Sequence, residues 1–222
     1  MSTIVITGAN RGIGLALAEK YQQQGDHVIA VCRQGADTLD ALGVQVEQGI
    51  DITDSASLTE LQQRMSGQAI DVLINNAGIL RSTTLDNIED ELERYRAQFE
   101  VNSLGPLRVT QALSSQLRQG AKVIIVTSRM GSIADNTSGG AYGYRMSKSA
   151  VNSAGVSLAH ALKPHGIAVA LLHPGYVRTD MTGQNGYVDP DEAAQGLMSR
   201  IAALSMDTTG SFWHANGETL PW

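Results

Sequence analysis

The chain has 222 residues, of which 42% are hydrophobic and 17% are charged, and its formal net charge is −6. The apolar residues suffice for a core, and no basic stripe points to a nucleic-acid partner. Cys32 is the only cysteine, so an internal disulfide is excluded and a reducing compartment is expected. No basic-then-apolar leader follows Met1, and no apolar run approaches the roughly 18 residues of a membrane span. We therefore expect a cytoplasmic protein with no membrane partner.

Seven short apolar runs predict strands, which cover residues 3–7, 27–32, 44–48, 71–74, 122–127, 167–172 and 211–213. Helical patterns lie between most of them, over residues 13–21, 55–65, 87–117 and 144–162, and a further helix starts with Asp189 as N-cap. We expect a break near Gly105-Pro106, because proline removes a helix hydrogen bond. Runs that are apolar throughout are typical of strands buried on both faces, so the alternation predicts an α/β fold with a doubly wound parallel sheet.

Three glycines, Gly8, Gly12 and Gly14, lie between the first strand and the first helix. Glycine lets the backbone turn tightly and approach a ligand, and the free N–H groups of a helix start favour a pyrophosphate. The spacing differs from the G-x-G-x-x-G fingerprint, so a plain strand-to-helix turn is the alternative. We predict that this turn binds a dinucleotide.

The end of the second strand indicates which dinucleotide binds. A cofactor with a free ribose 2′-hydroxyl usually meets an acid there, whereas this strand ends in Val31-Cys32-Arg33. Arg33 and Arg11 can both bind a 2′-phosphate through charge-assisted hydrogen bonds. The sequence therefore predicts NADP(H), with two solvated arginines as the alternative interpretation.

Tyr144 and Lys148 are four residues apart on a predicted helix and therefore share one face. An ammonium beside a phenol favours the phenolate, so we expect the pKa of Tyr144 to fall below its usual value of about 10. Such a tyrosine can exchange protons near neutral pH. Tyr142 is the alternative phenol, but its six-residue separation places it away from Lys148 on the helix.

Together these residues resemble the short-chain dehydrogenase/reductase family over nearly the whole chain. The likeness rests on Thr7-Gly8-x-x-x-Gly12-x-Gly14, Asp51, Asn75-Asn76-Ala77-Gly78, Asn102, Ser128, Tyr144, Lys148 and Pro174-Gly175 followed by Thr179. Residues 127–133 and the ending Leu220-Pro221-Trp222 look similar to carbonyl reductases of the sniffer and C-factor type. The resemblance implies a single NAD(P)-binding Rossmann-type domain over residues 1–222. Its sheet would have seven parallel strands in the order 3-2-1-4-5-6-7, with helices on both faces and a short substrate loop at 176–190.

The resemblance also implies roles for single residues. Tyr144 would be the general acid/base, Ser128 a donor to the substrate oxygen, Lys148 a partner of the phenol and the ribose, and Asn102 the residue that orders a water behind Lys148. The implied cofactor contacts are Gly8, Asn10, Arg11, Gly12, Ile13, Gly14, Arg33, Asp51, Ile52, Asn75, Ala77, Gly78, Tyr144, Lys148, Pro174, Gly175, Val177 and Thr179.

The position of the catalytic serine departs from the commonest family spacing. Ser128 lies sixteen residues before Tyr144, three more than is usual, and Ser132 is the rival at twelve. We favour Ser128 because it ends the fifth strand, where the ligands of such sheets gather.

The leading hypothesis is an NADPH-dependent oxidoreductase that moves a hydride between the nicotinamide and a carbonyl or alcohol carbon. The rival is a nucleotide-binding signalling or regulatory module of the same fold without turnover. The intact set of catalytic residue types favours the enzyme. The five histidines are scattered, so no metal site is predicted, and His173 is interpreted as a satisfied strand-end residue. The resemblance further implies a small-molecule carbonyl substrate and a homodimer or homotetramer.

Overall fold

A computed structural model describes all 222 residues, and its centre is one sheet of seven parallel strands. The strands are β1 (Thr3–Thr7), β2 (His27–Cys32), β3 (Gln45–Gln48), β4 (Ile70–Asn75), β5 (Leu117–Val126), β6 (Ala168–His173) and β7 (Ser211–His214). Their order across the sheet is β3-β2-β1-β4-β5-β6-β7. The expected fold class and strand order are confirmed.

Seven α-helices cover the two faces of the sheet. They are α1 (Gly12–Gln23), α2 (Asp37–Leu42), α3 (Ser55–Arg64), α4 (Ile88–Phe99), α5 (Gly105–Ala112), α6 (Tyr142–Leu162) and α7 (Pro190–Ala203). One buried cluster joins α1, α2 and α7 to Ile4 and Ile6 of β1, and another joins α3, α5 and α6 to Val5 between them. Both faces of the sheet are therefore covered, which explains the uninterrupted apolar runs in the sequence.

The strand order places the functional motifs at one edge of the sheet. β1 lies between β2 and β4, so the chain connections leave this point in opposite directions. In doubly wound sheets a crevice forms at such a point, outside the carboxyl ends of the strands. The glycine turn follows β1, Arg33 follows β2, and Ser128 lies just after β5, so all three lie at this edge.

Two elements differ from the sequence prediction. α2 was not predicted, because its six residues bury only Leu39 and show no sustained apolar period. β5 begins at Leu117 rather than Lys122, and its pairing with β4 is irregular between Ile70 and Val72. The early residues of β5 include three exposed positions, so no apolar run reveals them.

The predicted break near Gly105-Pro106 is instead a π-helical turn, Glu100–Leu104, through which α4 continues into α5. Pro106 lies in the first turn of α5, where a missing N–H is tolerated. A Cβ on Gly105 would lie 2.6 Å from Ile52 Cδ1, so glycine allows this close packing. Wide turns of this kind are frequent at functional sites, and this one carries Asn102.

Candidate active site

A cleft of about 920 Å³ lies at the carboxyl edge of the sheet, within the size range of small-molecule sites. It extends from Arg33 and Asp51, beside β2, to Tyr144 and Lys148 on α6. Most of the predicted cofactor residues line it, namely Gly8, Asn10, Arg11, Gly12, Ile13, Arg33, Asp51, Ile52, Ala77, Gly78, Tyr144, Lys148, Pro174 and Thr179. The cleft therefore joins the predicted cofactor residues to Tyr144 and Lys148, whereas Asn102 and Ser128 are buried outside its lining.

The glycine turn is shaped for close approach to a ligand. Gly8 and Gly12 have φ values of 65° and 55°, in the left-handed region that glycine favours. A Cβ on Gly14 would lie 2.3 Å from Gly8 O, so only glycine fits there. Arg11 precedes α1 without a side-chain cap, and Gly12 and Ile13 line the cleft. Uncapped N–H groups at a helix start are donors suited to a phosphate.

Two exposed arginines line the cleft. Arg33 Nη1 lies 3.8 Å from Asp51 Oδ2, and Arg11 Nη1 lies 3.6 Å from Asp180 Oδ2. Asp51 is held more firmly, since its Oδ1 accepts hydrogen bonds from the N and Oγ1 atoms of Thr53 at 2.8 and 2.7 Å. Long, exposed ion pairs of this kind contribute little stability, so both guanidinium groups can bind an anion.

The sequence analysis predicted a cofactor contact for Asn75, but in the structure the neighbouring Asn76 faces the cleft. The side chain of Asn75 is buried away from the cleft, where Nδ2 donates to Thr110 Oγ1 at 3.2 Å. Asn76 lines the cleft, and its Nδ2 donates to the carbonyls of Thr7 and Gly8 at 3.0 and 3.1 Å. Thr7 Oγ1 in turn accepts from the N atoms of Asn76 and Ala77. Successive residues at a strand end point to opposite sides, which explains the difference.

The side chains of Asn76 and Thr7 were missed as functional residues by the sequence reasoning. Together they join the turn after β4 to the turn after β1 and keep the glycine turn in shape. Both are polar residues at the carboxyl ends of neighbouring strands. That position in the sequence could have indicated their role.

Tyr144 and Lys148 are both buried, at 7% and 5% exposure, on the face of α6 that borders the cleft. Lys148 Nζ lies 5.8 Å from the centre of the Tyr144 ring and donates to Val126 O at 3.0 Å. Tyr142 begins α6, is 40% exposed and does not line the cleft. The geometry therefore brings Tyr144, rather than Tyr142, beside the lysine.

The expected lowering of the phenol pKa is wrong for the protein alone. Burial raises the pKa of Tyr144 to about 12, although a hydrogen bond from Ser128 acts to lower it. Burial also lowers the pKa of Lys148 to about 8. Desolvation disfavours the charged form of each group, and here it outweighs their proximity. At neutral pH the phenol is therefore protonated.

The two candidate serines have different partners. Ser128 is buried beside Tyr144, and its Oγ accepts a hydrogen bond from Met130 N at 3.1 Å, which leaves its hydroxyl hydrogen free to donate. Ser132 Oγ instead donates to Trp222 O at 3.1 Å and accepts from Asp135 N at 3.0 Å. Only Ser128 is in contact with the phenol, whereas Ser132 fixes a loop.

Asn102 is buried in the π-helical turn, and both polar atoms of its side chain form hydrogen bonds. Its Oδ1 accepts from Ile79 N at 2.8 Å, and its Nδ2 donates to Ile79 O and Ser147 Oγ at 2.9 and 3.0 Å. A Cβ on Gly78 would meet both Asn102 Oδ1 and Lys148 Nζ, at 3.3 and 3.7 Å. Asn102 therefore holds the segment after β4 against the α6 face that carries the lysine.

The segment after β6 contributes Pro174 and Thr179 to the cleft. Gly175 has a φ of 97°, and Val177 is buried and pairs with Val188, so these two act through the backbone and packing. Arg178 closes the loop, with Nε donating to Asp189 Oδ1 and Nη1 to Gly186 O, both at 2.8 Å. The Asp189 carboxylate is therefore bound by Arg178. The prediction that this side chain caps α7 is wrong.

No three His, Cys, Asp or Glu side chains come together as a set of metal ligands. None of the helices has the length and apolarity needed to cross a bilayer.

The residues at this edge of the sheet fit a dinucleotide. The turn at Gly8 and Gly12 and the uncapped start of α1 suit a pyrophosphate. Arg33 supplies positive charge after β2, and Arg11 supplies it in the glycine turn after β1. The buried phenol and ammonium at the other end supply groups that exchange protons.

Comparison with known proteins places the chain in a family. Residues 2–187 match the model of the short chain dehydrogenase family. The chain is 41% identical over 228 residues to 1-hydroxy-2-glutathionyl-2-methyl-3-butene dehydrogenase of Rhodococcus sp. strain AD45, covering 100% of both chains. It is 45% identical over 155 residues to the C-signal protein of Myxococcus xanthus, covering 69% of this chain and 93% of that one.

A solved structure gives the same result. The NADPH-bound carbonyl reductase from chicken fatty liver superposes with a TM-score of 0.90 at 31% identity, covering 100% of this chain and 99% of that one. The chain therefore belongs to the short-chain dehydrogenase/reductase family, as its motifs indicated, and it is an oxidoreductase by family. Its similarity to carbonyl reductases is confirmed.

Proposed function

We propose that this protein is an NADP(H)-dependent oxidoreductase that interconverts a carbonyl compound and its alcohol, with Tyr144 as the proton-transfer residue. The observation that carries the proposal is that the buried Tyr144 and Lys148 line the same cleft as the glycine turn, with Ser128 in contact with the phenol. Reduced nicotinamide, when bound, supplies the hydride.

The proton-transfer step follows from the pKa values of the site. Because the pKa of Tyr144 is about 12, the phenol is protonated at neutral pH and is an acid rather than a base. It donates its proton to the substrate oxygen as negative charge develops there. Ser128 donates a hydrogen bond to the same oxygen, which stabilises that charge.

Lys148 stabilises the product of this step. Its pKa of about 8 leaves it mainly protonated at neutral pH, close to the Tyr144 ring. An ammonium favours the phenolate that remains after proton transfer. Asn102 keeps the segment around Gly78 and Ile79 packed against this pair.

The preference for NADP(H) is supported at the other end of the cleft. Arg33 and Arg11 are exposed there with only long ion pairs, and each can bind a 2′-phosphate. The chicken carbonyl reductase of the same fold carries NADPH.

The proposal is tested by following the oxidation of NADPH by the purified protein with a panel of aldehydes, ketones and quinones. The reverse reaction is followed with alcohols, including a glutathione-substituted one, because the Rhodococcus relative is named as a dehydrogenase of such an alcohol. We expect turnover with at least one carbonyl compound. Tight NADPH binding without turnover of any compound would instead support a signalling module.

A further inference from the structure

The residue that follows the catalytic serine is anchored by a distant acid. Arg129 Nη2 lies 2.6 Å from Glu218 Oε1, although the two residues are far apart in the chain. Arg129 Nε also lies 3.1 Å from Asp135 Oδ2, so the guanidinium contacts two carboxylates. The contact with Glu218 is the shorter of the two, and its side chains are 40% and 49% exposed. Coulomb attraction is strongest at the shorter distance, so Glu218 is the closer electrostatic partner.

The contact is part of a longer seam between two segments. The serine turn, residues 128–134, meets the return segment, residues 215–222, which follows β7. Trp222 O accepts hydrogen bonds from Ser132 Oγ at 3.1 Å and from Ala134 N at 2.8 Å. The Trp222 ring stacks on Phe212 with 5.3 Å between centroids. The return segment is therefore fixed on β7 and supports one side of the serine turn.

The other side of the serine turn rests on α6. Ser149 Oγ donates to Gly131 O at 2.9 Å, and Arg145 Nη1 donates to Met130 O at 3.4 Å. These contacts hold the middle of the turn. Arg129, next to Ser128 itself, contacts two acids instead: Asp135, which follows the turn, and Glu218, which follows β7.

Two histidines lie next to Arg129 at the ends of β6 and β7. His173 and His214 meet edge to face with 4.8 Å between ring centroids, and His173 Nδ1 is buried without a partner. The prediction that His173 is a satisfied strand-end residue is therefore wrong. Burial, together with His214, Arg129 and Lys148, lowers its pKa to about 3, so it is neutral and does not compete for the carboxylate.

We propose that Glu218 is a positioning residue for Ser128: by anchoring Arg129 it fixes the serine turn that carries the donor hydroxyl. The proposal rests on the proposed function, because it assigns to Glu218 an effect on the proton-transfer step. A hydroxyl rotates freely, so its direction depends on the backbone that carries it. Small displacements of a donor reduce turnover steeply.

The test compares Glu218→Gln with Glu93→Gln. Glu93 forms a pair with Arg96 at 2.5 Å on α4, outside the cleft, and is the matched control. We expect Glu218→Gln to lower kcat by about 3- to 10-fold with an unchanged Kd for NADPH, since the pair is half-exposed and acts through position. The control is expected to match the wild type in both quantities. Exchanging the charges, Arg129→Glu with Glu218→Arg, should recover part of the loss.

A split between kcat and KM separates positioning from general structural support. Ser128 is assigned to the charge that develops on the substrate oxygen during the reaction, so its displacement acts on the chemical step. We expect Glu218→Gln to lower kcat while the KM for the carbonyl compound stays near the wild-type value.

Equal kcat in Glu218→Gln and Glu93→Gln would overturn the proposal. If the wild type shows no turnover at all, the proposed function fails separately. Anchoring is then judged by hydrogen–deuterium exchange of residues 128–134, which must be faster in Glu218→Gln than in the control for anchoring to stand.

Discussion

The two ends of the cleft are built in different ways. At the catalytic end Tyr144, Lys148 and Asn102 are at most 7% exposed, and burial displaces two pKa values. At the nucleotide end the side chains of Arg11 and Arg33 are 70% and 69% exposed, and their ion pairs exceed 3.5 Å. Electrostatic interactions are strong in a buried site and are screened by water and salt at the surface. Under the proposed function, we expect substitutions at the buried end to change proton transfer and substitutions at the exposed end to change the preference between nucleotides.

The largest effect is expected from Tyr144→Phe at the buried end. The change removes the only acidic proton of the ring and leaves its packing intact. Loss of a general acid lowers kcat by roughly 10²- to 10⁴-fold, while NADPH binding should stay near the wild-type level. Stopped-flow turnover and a fluorescence titration of NADPH measure the two quantities. Tyr142→Phe, two residues earlier and outside the cleft, is the control and should retain full activity.

A variant Tyr144→Phe that kept wild-type kcat would remove the assigned acid. Because no other phenol lines the cleft, proton transfer could then no longer be assigned to its buried end.

A second prediction concerns the stability of the cofactor-free protein. The pKa of Lys148 is about 8 in the folded state and 10.5 in the reference state, so between these values the unfolded chain binds more protons. The free energy of unfolding must then rise with pH, by about 2 kcal/mol between pH 8 and 10. Above pH 10 the raised pKa of Tyr144 acts in the opposite direction, because there the folded state holds the extra proton.

Urea unfolding at a series of pH values between 8 and 10 measures this effect. Lys148→Met should remove most of the slope, and the residual slope is expected from Lys122, whose pKa burial also lowers. Lys163→Met, at an exposed position, is the control and should keep the wild-type slope. An unchanged slope in Lys148→Met would show that the lysine is not desolvated as the structure indicates.

Much of this arrangement was predictable from the sequence, and the remainder depends on burial. The i, i+4 spacing of Tyr144 and Lys148 and the glycine pattern placed both ends of the cleft correctly along the chain. The direction of the Tyr144 pKa shift was wrong, because spacing gives proximity but not the extent of desolvation. The contact between Arg129 and Glu218 joins distant segments and has no local signal at all.

We expect a smaller effect at the exposed end. A substitution there should change the preference for NADPH over NADH rather than the rate of the chemical step. Arg33→Asp replaces a cation near the predicted 2′-phosphate with a second acid beside Asp51, 3.8 Å from the original guanidinium. One charge-assisted hydrogen bond corresponds to a change of about 10- to 100-fold, so the ratio of kcat/KM for NADPH to that for NADH should fall by this factor. The kcat with saturating cofactor should change little, because Arg33 lies at the opposite end of the cleft from Tyr144.

Arg11→Ala sharpens the same comparison, because Arg11 is equally exposed but follows β1 instead of β2. We expect a fall in NADPH affinity of a few-fold that shrinks as salt is raised, since salt screens exposed charges. Affinity for NADH should change less, because that cofactor lacks the phosphate. If the wild type already prefers NADH, the assignment of both arginines is wrong. If Arg11→Ala weakens both cofactors equally, Arg11 binds the pyrophosphate instead, and selectivity then rests on Arg33 alone.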